Sequence, residues 1–318
     1  MARACSFSWF YRAILGMAVT FAGIPSATAS LNPGSDEYSA LVTLYMSTNG
    51  PYWKMRGNHW NNGGDACAWM GITCDGDSHV ITIDVPGFGL SGQLPPGDGP
   101  AGVKGLNHLT KLRGLDISDN SLTGEFPDLS ELKDMLFIQA DRNKFTSIAA
   151  MARVGLNSIS FESNALKSFP DMSQMLFLRS LSLSNNQLTT FPALSPPGLQ
   201  FLSVDHNQLK DFPSLASMPD LETLDVSNNQ LTAFPQDLGS AHELIVLGIS
   251  NNLIRGKIPT APTSLEYATI CPNPLDITPQ PGIDEAWDAA TGVSPWWAAP
   301  TAINSCDEIF QSDFGNPD

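Results

Sequence analysis

The sequence predicts an α/β fold: a right-handed, horseshoe-shaped solenoid. Its concave side is a parallel sheet of about nine short strands, closed at each end by a disulfide-bonded cap. Three observations predict it. An apolar pattern ending in Asn recurs along the chain at steps of 21 to 23 residues. An apolar–Pro dipeptide follows most of these Asn residues by five or six positions. Four cysteines outside the N-terminal apolar segment fall as two pairs, one at each end of the repeated region.

The repeat is exposed by aligning the chain on one Asn. Leu112, Leu115, Ile117, Asn120 and Leu122 share their offsets with Met135, Ile138, Ala140, Asn143 and Phe145. The same offsets place Asn164, Asn186, Asn207, Asn229, Asn252 and Asn273 behind equivalent apolar triplets. A first copy reads Val80, Ile83, Val85, Phe88 and Leu90, with Phe where the others carry Asn. That makes nine copies over Val80 to Leu275. In each, two core residues flank one that points the other way, the alternation of a short strand. Strands stacked about 4.8 Å apart make nine coils roughly 40 Å long. One coil cannot bury its apolar side alone; neighbours bury it continuously. The Asn amide donates and accepts, so it can satisfy turn backbone groups that stacking would bury unpaired.

The apolar–Pro pairs are Phe126-Pro127, Phe169-Pro170, Phe191-Pro192, Phe212-Pro213, Phe234-Pro235 and Ile258-Pro259. Proline favours extended or tightly turned backbone, so the convex side should carry extended segments and short 3₁₀ turns. The insertion Pro95 to Pro100 between the first two coils should loop out.

The flanks read as caps. Residues 1–29 have the form of a secretory signal: Arg3 and Arg12, an apolar run from Ala13 to Ile24, then Ala27-Thr28-Ala29. The apolar run is too short to span a bilayer. Residues 30–79 form an N-terminal cap: Ser35 starts a helix with Asp36 and Glu37 in its first turn, and Leu41, Leu44 and Tyr45 supply its apolar stripe. The solenoid occupies 80–276. A C-terminal cap at 277–306 holds Trp287, Trp296 and Trp297, and an acidic tail covers 307–318. Cys5 leaves with the leader. Cys67, Cys74, Cys271 and Cys306 then suggest an oxidising compartment and two local disulfides; their spacing and the lack of nearby His pairs disfavour zinc.

The repeat resembles the leucine-rich-repeat pattern LxxLxLxxNxL. The stretch Trp60, Cys67-Ala68-Trp69-Met70-Gly71-Ile72-Thr73-Cys74 resembles the N-terminal cap of plant-type leucine-rich-repeat proteins, among them receptor-kinase ectodomains and polygalacturonase-inhibiting proteins. Leu90-Ser91-Gly92-Gln93-Leu94-Pro95, Leu122 to Pro127 and Ile254 to Pro259 resemble the LxGxIP segment of that group. The middle copies, Asn164 to Asn229, lack the Gly and are shorter, and are similar to a more generic, bacterial repeat class. The resemblance implies a recognition scaffold whose ligand meets the concave strands.

Charge narrows the partner. The chain carries 16 basic and 32 acidic residues, a formal net charge of −16; loss of Arg3 and Arg12 with the leader brings it to −18. Nucleic acid and anionic lipid need basic stripes, so neither is expected, and no membrane span is expected after the leader. The location expected after the leader is extracellular or periplasmic, and an extracellular protein is the expected partner, with carbohydrate or cell-envelope binding as the alternative through the Ser-rich face and the Trp cluster; ice binding is a third class, opposed by the irregular Phe, Glu and Asp positions. Neither cofactor nor metal is expected, although Asp141, Glu162 and Asp205 could be weighed as cation ligands. No HExxH, GxSxG or phosphate-binding loop occurs, and a Ser203–Asp205–His206 set is available only in arithmetic. The candidate contact residues are Phe137, Gln139, Asp141, Arg142, Glu162, Phe201, Asp205, His206, Asp225 and Tyr267. Phe137 and Phe201 are expected to be exposed anchors.

Overall fold

The computed structural model describes residues 30–298, apart from 55–59, 98–102, 150–154 and 193–195. The expected leader, Cys306 and the acidic tail lie outside the described residues.

The N-terminal cap begins with a helix over Asp36–Ser47. The Ser35 hydroxyl caps it by accepting the Tyr38 backbone N–H at 3.1 Å, and Asn49 leaves it in a left-handed conformation. Leu41 and Leu44 are buried beneath it, and Tyr45 is half-buried. Glu37 ties the helix to the first coil. Its carboxylate lies 2.6 Å from His79 Nδ1 and accepts the Val80 backbone N–H at 2.8 Å. Tyr38, Tyr45, Trp53, Trp60 and Trp69 pack edge-to-face or stacked behind it. Phe88, where later coils have Asn, joins that cluster through Trp53. The disulfide Cys67–Cys74 closes the cap.

The concave sheet has ten strands among the described residues. Nine are parallel and fall where the repeat puts them, from Val80–Asp84 through Gly114–Asp116, Phe137–Gln139, Ser158–Ser160, Ser180–Ser182, Phe201–Ser203, Thr223–Asp225 and Val246–Gly248 to Tyr267–Thr269. The tenth, Ile72–Cys74, runs antiparallel to Val80–Asp84 and covers the open edge. An unpaired edge would template association, so this strand is part of the cap's work. Register is uniform: Ile138, Ile159, Leu181, Leu202, Leu224 and Leu247 stand opposite one another, and all are buried.

The framework Asn residues lock coil to coil. Asn186 Nδ2 donates to the carbonyls of Phe161 (2.8 Å), Leu183 (3.0 Å) and Ser184 (3.2 Å), and its Oδ1 accepts the Leu166 N–H at 3.0 Å. Asn143, Asn164, Asn207, Asn229 and Asn252 repeat this pattern. The residue before each framework Asn from Asn120 to Asn252 is left-handed: Asp119, Arg142, Ser163, Asn185, His206, Asn228 and Asn251. That conformation turns the chain off the sheet, and Asn or Asp tolerate it best.

The convex side carries short 3₁₀ turns at Leu106–His108, Leu215–Ser217 and Leu238–Ser240. It also carries two small parallel sheets, one built from Ser91–Gly92, Ser121–Phe126 and Lys144–Ile148 and the other from Gly256–Lys257 and Leu275–Asp276. Phe126, Phe169, Phe191 and Ile258 are buried, and Phe212 and Phe234 half-buried. The expected bulge after Leu94 is corrected in its first part. Pro95 and Gly97 are buried, and the Gly97 carbonyl accepts the Asn107 N–H at 3.1 Å, because these residues fill the wider gap between two coils. Residues 98–100 lie outside the described residues.

The C-terminal cap closes the other end with a helix over Asp284–Thr291, stopped by left-handed Gly292. The helix packs on the Tyr267–Thr269 strand. Trp287 is fully buried and donates from Nε1 to the Pro259 carbonyl at 2.8 Å. Trp296 is buried and donates to Asp284 Oδ1 at 2.9 Å. Cys271 is disulfide-bonded.

Candidate binding face

Strand alternation and uniform register sort the concave side chains into columns. Asp84, Asp116, Gln139, Ser160, Ser182, Ser203, Asp225, Gly248 and Thr269 form the central one. Two residues earlier on each strand stand Gly114, Phe137, Ser158, Ser180, Phe201, Thr223, Val246 and Tyr267. Two residues later stand Ser118, Asp141, Glu162, Ser184, Asp205, Ser227 and Ser250.

The centre of this face has a floor of serines. Ser160, Ser182, Ser184, Ser203 and Ser227 are buried between neighbouring strands, and most hold a carboxylate in place. Ser160 Oγ donates to Asp141 Oδ1, which also accepts the Glu162 N–H at 2.8 Å. Ser184 and Ser203 both donate to Asp205 Oδ1, and Ser227 donates to Asp225 from Oγ and N. Ser182 Oγ is the exception: it is buried with no hydrogen-bond partner.

The carboxylates form one electrostatic row. Burial pushes the Asp84 carboxyl above the ordinary range, and Asp116 adds to the shift. Burial raises Asp141 against the lowering pull of Ser160, the Glu162 N–H and Arg142. Glu162 is raised by burial and then by Asp141 and Asp205. Asp225 is raised by burial and by Asp205. Ionised acids side by side at reduced solvation repel each other, so each is easier to protonate.

The expected contact residues are brought to this face with several corrections. Phe201 is not an exposed anchor. It is 9% exposed, because it lies on an interior strand of the sheet, between the strands of Ser180 and Thr223. Phe137 is half-buried and lies over Gly114: a Cβ there would sit 2.2 Å from Phe137 Cζ. Asp225 is buried, enclosed by its own Ser227 and the Gly248 backbone, so it is not directly available to a partner. Arg142 does not stand beside Phe137 as a free cation. Its left-handed backbone turns it onto the preceding coil, where Nη2 meets Asp119 Oδ2 at 2.7 Å. That contact holds the Asp119 carboxyl below its ordinary range. Gln139, Asp141, Glu162 and Asp205 are half-buried on the face, His206 is exposed at its rim, and Tyr267 is 41% exposed at the last strand.

The geometry also speaks to chemistry. His206 Nδ1 lies 2.7 Å from Asp205 Oδ2, and Ser203 donates to the other oxygen of the same carboxylate. Asp205 therefore stands between the serine and the imidazole, whereas a nucleophile relay needs the imidazole in the middle. Among the described residues no group of three or more His, Cys, Asp or Glu is arranged to hold a metal ion. Of the three C-cap tryptophans, Trp287 and Trp296 are buried and Trp297 is half-buried. The serine floor was legible in sequence as small residues; its part in positioning the acids was not, because the hydrogen bonds run mostly between coils.

Known proteins share these features. Residues 197–240 match the family model for Leucine Rich repeats (2 copies), and residues 111–131 and 177–197 match the Leucine Rich Repeat model. The chain is 35% identical to the receptor-like kinase TMK2 of Arabidopsis thaliana over 119 residues, 36% of this chain and 12% of that protein. It is 40% identical to a probable inactive receptor kinase of the same plant over 83 residues, 25% of this chain and 12% of that protein. The chain thus spans about an eighth of these relatives. Among solved structures, YopM from Yersinia enterocolitica aligns at a TM-score of 0.50 with 29% identity, covering 61% of this chain and 38% of that one. Among the described residues no helix is long and apolar enough to cross a membrane. With its Asn ladder, parallel concave sheet and matched repeats, the chain is a leucine-rich-repeat solenoid similar to the repeat regions of plant receptor-like kinases.

Proposed function

We propose that this protein is a secreted, non-catalytic recognition scaffold that binds a protein partner through its concave face. The observation that carries the reading is the face itself. One continuous backbone sheet presents parallel columns whose residues change from coil to coil, while the core behind them stays uniform. Such a surface is rigid before binding, which lowers the ordering cost of association. Two relatives carry the word receptor in their names, which supports recognition as the role of the shared repeats. Secretion is supported by the leader-like residues 1–29 and by the Cys67–Cys74 bond. The proposed organisation is leader 1–29, cap 30–79, solenoid 80–276, cap 277–306 and tail 307–318.

The test is capture of extracellular proteins and of a glycan panel by the chain from Ser30 onward, with disulfides intact. It is run beside a Gln139→Trp, Thr269→Trp variant. The substitutions put bulk on the central column, where Ser160, Ser182 and Ser203 leave none, without altering charge. A captured protein lost in the folded variant supports the proposal. Capture unchanged by the variant moves the site off the concave face. Retention of glycans without protein overturns the protein-partner reading.

A further inference from the structure

We propose that two copies of this chain associate through the edge of the solenoid at which the concave strands begin, packed antiparallel about a twofold axis and anchored on Phe177. This edge is separate from the concave columns, and the inference does not rest on them.

The repeat supplies its own reference for what the fold needs there. The residue just before each strand is joined to its counterpart on the next coil by a backbone hydrogen bond, in the order Arg113, Leu136, Asn157, Arg179, Gln200, Glu222 and Ile245. These residues, and those two positions earlier, therefore stand in two columns along the edge. The counterparts of Phe177 are Lys111, Asp134, Gly155, Gly198, Asp220 and Glu243. A coil thus closes without an apolar group at this position. Phe177 is nevertheless 65% exposed, with Leu176 beside it at 58% and Leu136, two coils earlier, at 43%. Gly155, on the coil before Phe177, has no side chain to cover the ring. Gly198, on the coil after, has none either, and the Arg179 guanidinium lies there instead, with Nη1 donating to the Gly198 carbonyl at 2.6 Å. An apolar cluster that the core does not require marks a contact surface.

Charge along the same edge names the occupant. Lys111 is paired with Asp134 at 3.2 Å, and Arg179 lies 3.7 Å from Asp220. Among the described residues, Arg113 and Lys133 make no ion pair, and neither do Glu222, Glu243 and Glu266. All five are exposed. The unpaired cations therefore precede the apolar cluster and the unpaired acids follow it. A strip that is basic at one end, apolar in the middle and acidic at the other becomes its own complement when a second copy is turned end for end. Arg113 and Lys133 of each copy then approach the glutamates of the other, and the two apolar clusters meet. That is the self-complementarity an isologous interface requires. A partner of one charge sign would meet like charge at one end of the strip. The net charge of −16 opposes less specific association between copies. From Arg113 to Ile245 the strip runs six coil steps, roughly 29 Å at about 4.8 Å each. It is smaller than a standard interface, so a dissociable dimer is expected, with Kd on the order of 1–100 µM.

The test is sedimentation equilibrium of the chain from Ser30 onward with its disulfides intact. A reversible monomer–dimer equilibrium is expected. Phe177→Glu should weaken it at least about tenfold and leave Tm unchanged, because the ring is exposed in the monomer. A basic-end variant, Arg113→Glu with Lys133→Glu, and an acidic-end variant, Glu222→Lys with Glu243→Lys, should each be monomeric alone. Mixed in equal amounts they should dimerise again, since every contact between the two variants is then attractive. A chain that stays monomeric to about 1 mM would overturn the proposal, even if Phe177 then captured a different protein. A dimer indifferent to Phe177→Glu would place the contact elsewhere and overturn it too. Mass growing beyond the dimer, or a mixture of the two charge variants that stays monomeric, would refute the antiparallel twofold arrangement.

Discussion

Asn186 and Leu166 sit on successive coils and are joined by one hydrogen bond, Leu166 N–H to Asn186 Oδ1 at 3.0 Å. The same side chain donates to three carbonyls, one of them again on the earlier coil. One amide thus closes its own turn and welds it to the previous one. Asn186→Ala should therefore cost about 1–3 kcal/mol, since it strands buried backbone groups. Asn186→Asp should cost a similar amount, because a carboxylate keeps the acceptor and loses the donors. Urea unfolding checks both; a loss below about 0.5 kcal/mol in each would show that the turn satisfies itself by other means.

Phe137 and Gly114 make a second cross-coil pair. The ring occupies the space a side chain at 114 would need. Gly114→Ala should push the ring toward solvent and cost about 1 kcal/mol. In a Phe137→Ala background the same change should cost almost nothing. A double-mutant cycle measures that difference, and equal costs in the two backgrounds would remove the pairing from the account of the face.

Stability should depend on pH in one direction. The carboxyls of Asp84, Asp141, Glu162 and Asp225 titrate above their ordinary range. The folded chain therefore holds their protons more tightly than the unfolded one, and stability falls as pH rises through that window. His79 is raised from 6.5, first by its hydrogen bond to Glu37. Its contribution is complete below 6.5 and is lost as pH rises through the folded value. The two effects act in the same direction, so Tm should fall as pH rises above the ordinary carboxyl values of 3.8 to 4.5, and fall further as it rises above 6.5. Glu162→Gln should flatten the lower part of the curve and His79→Gln the upper part. Asp119, lowered by Arg142, opposes them only at more acid pH, where its stabilisation is lost as it takes up a proton. A Tm that rises across this range would contradict the assignment.

The period and the strand positions were legible in the sequence because each coil solves the same local problem. Leu181 and Leu183 must face inward, Asn186 must close the turn, and the two-residue alternation leaves Ser182 outside. Those constraints act within a few residues or through an exact repeat, so one chain carries them openly. The caps were legible for a related reason: Ser35, the tryptophans and Cys67 with Cys74 are concentrated where the repeat stops.

What the face exposes was decided only by tertiary structure. Alternation put Phe201 and Asp225 on the concave side, but whether they reach solvent depends on the strands beside them. Phe201 is covered there and Asp225 is held down by Ser227, while Tyr267 stays open at the last strand. The left-handed turn carried Arg142 back to Asp119 on the preceding coil. The bonds that leave Ser182 as the unmatched hydroxyl run mostly between residues 19 to 21 positions apart. Local pattern determines which way a side chain points, and the neighbouring coil determines whether it is covered, paired or left to meet a partner.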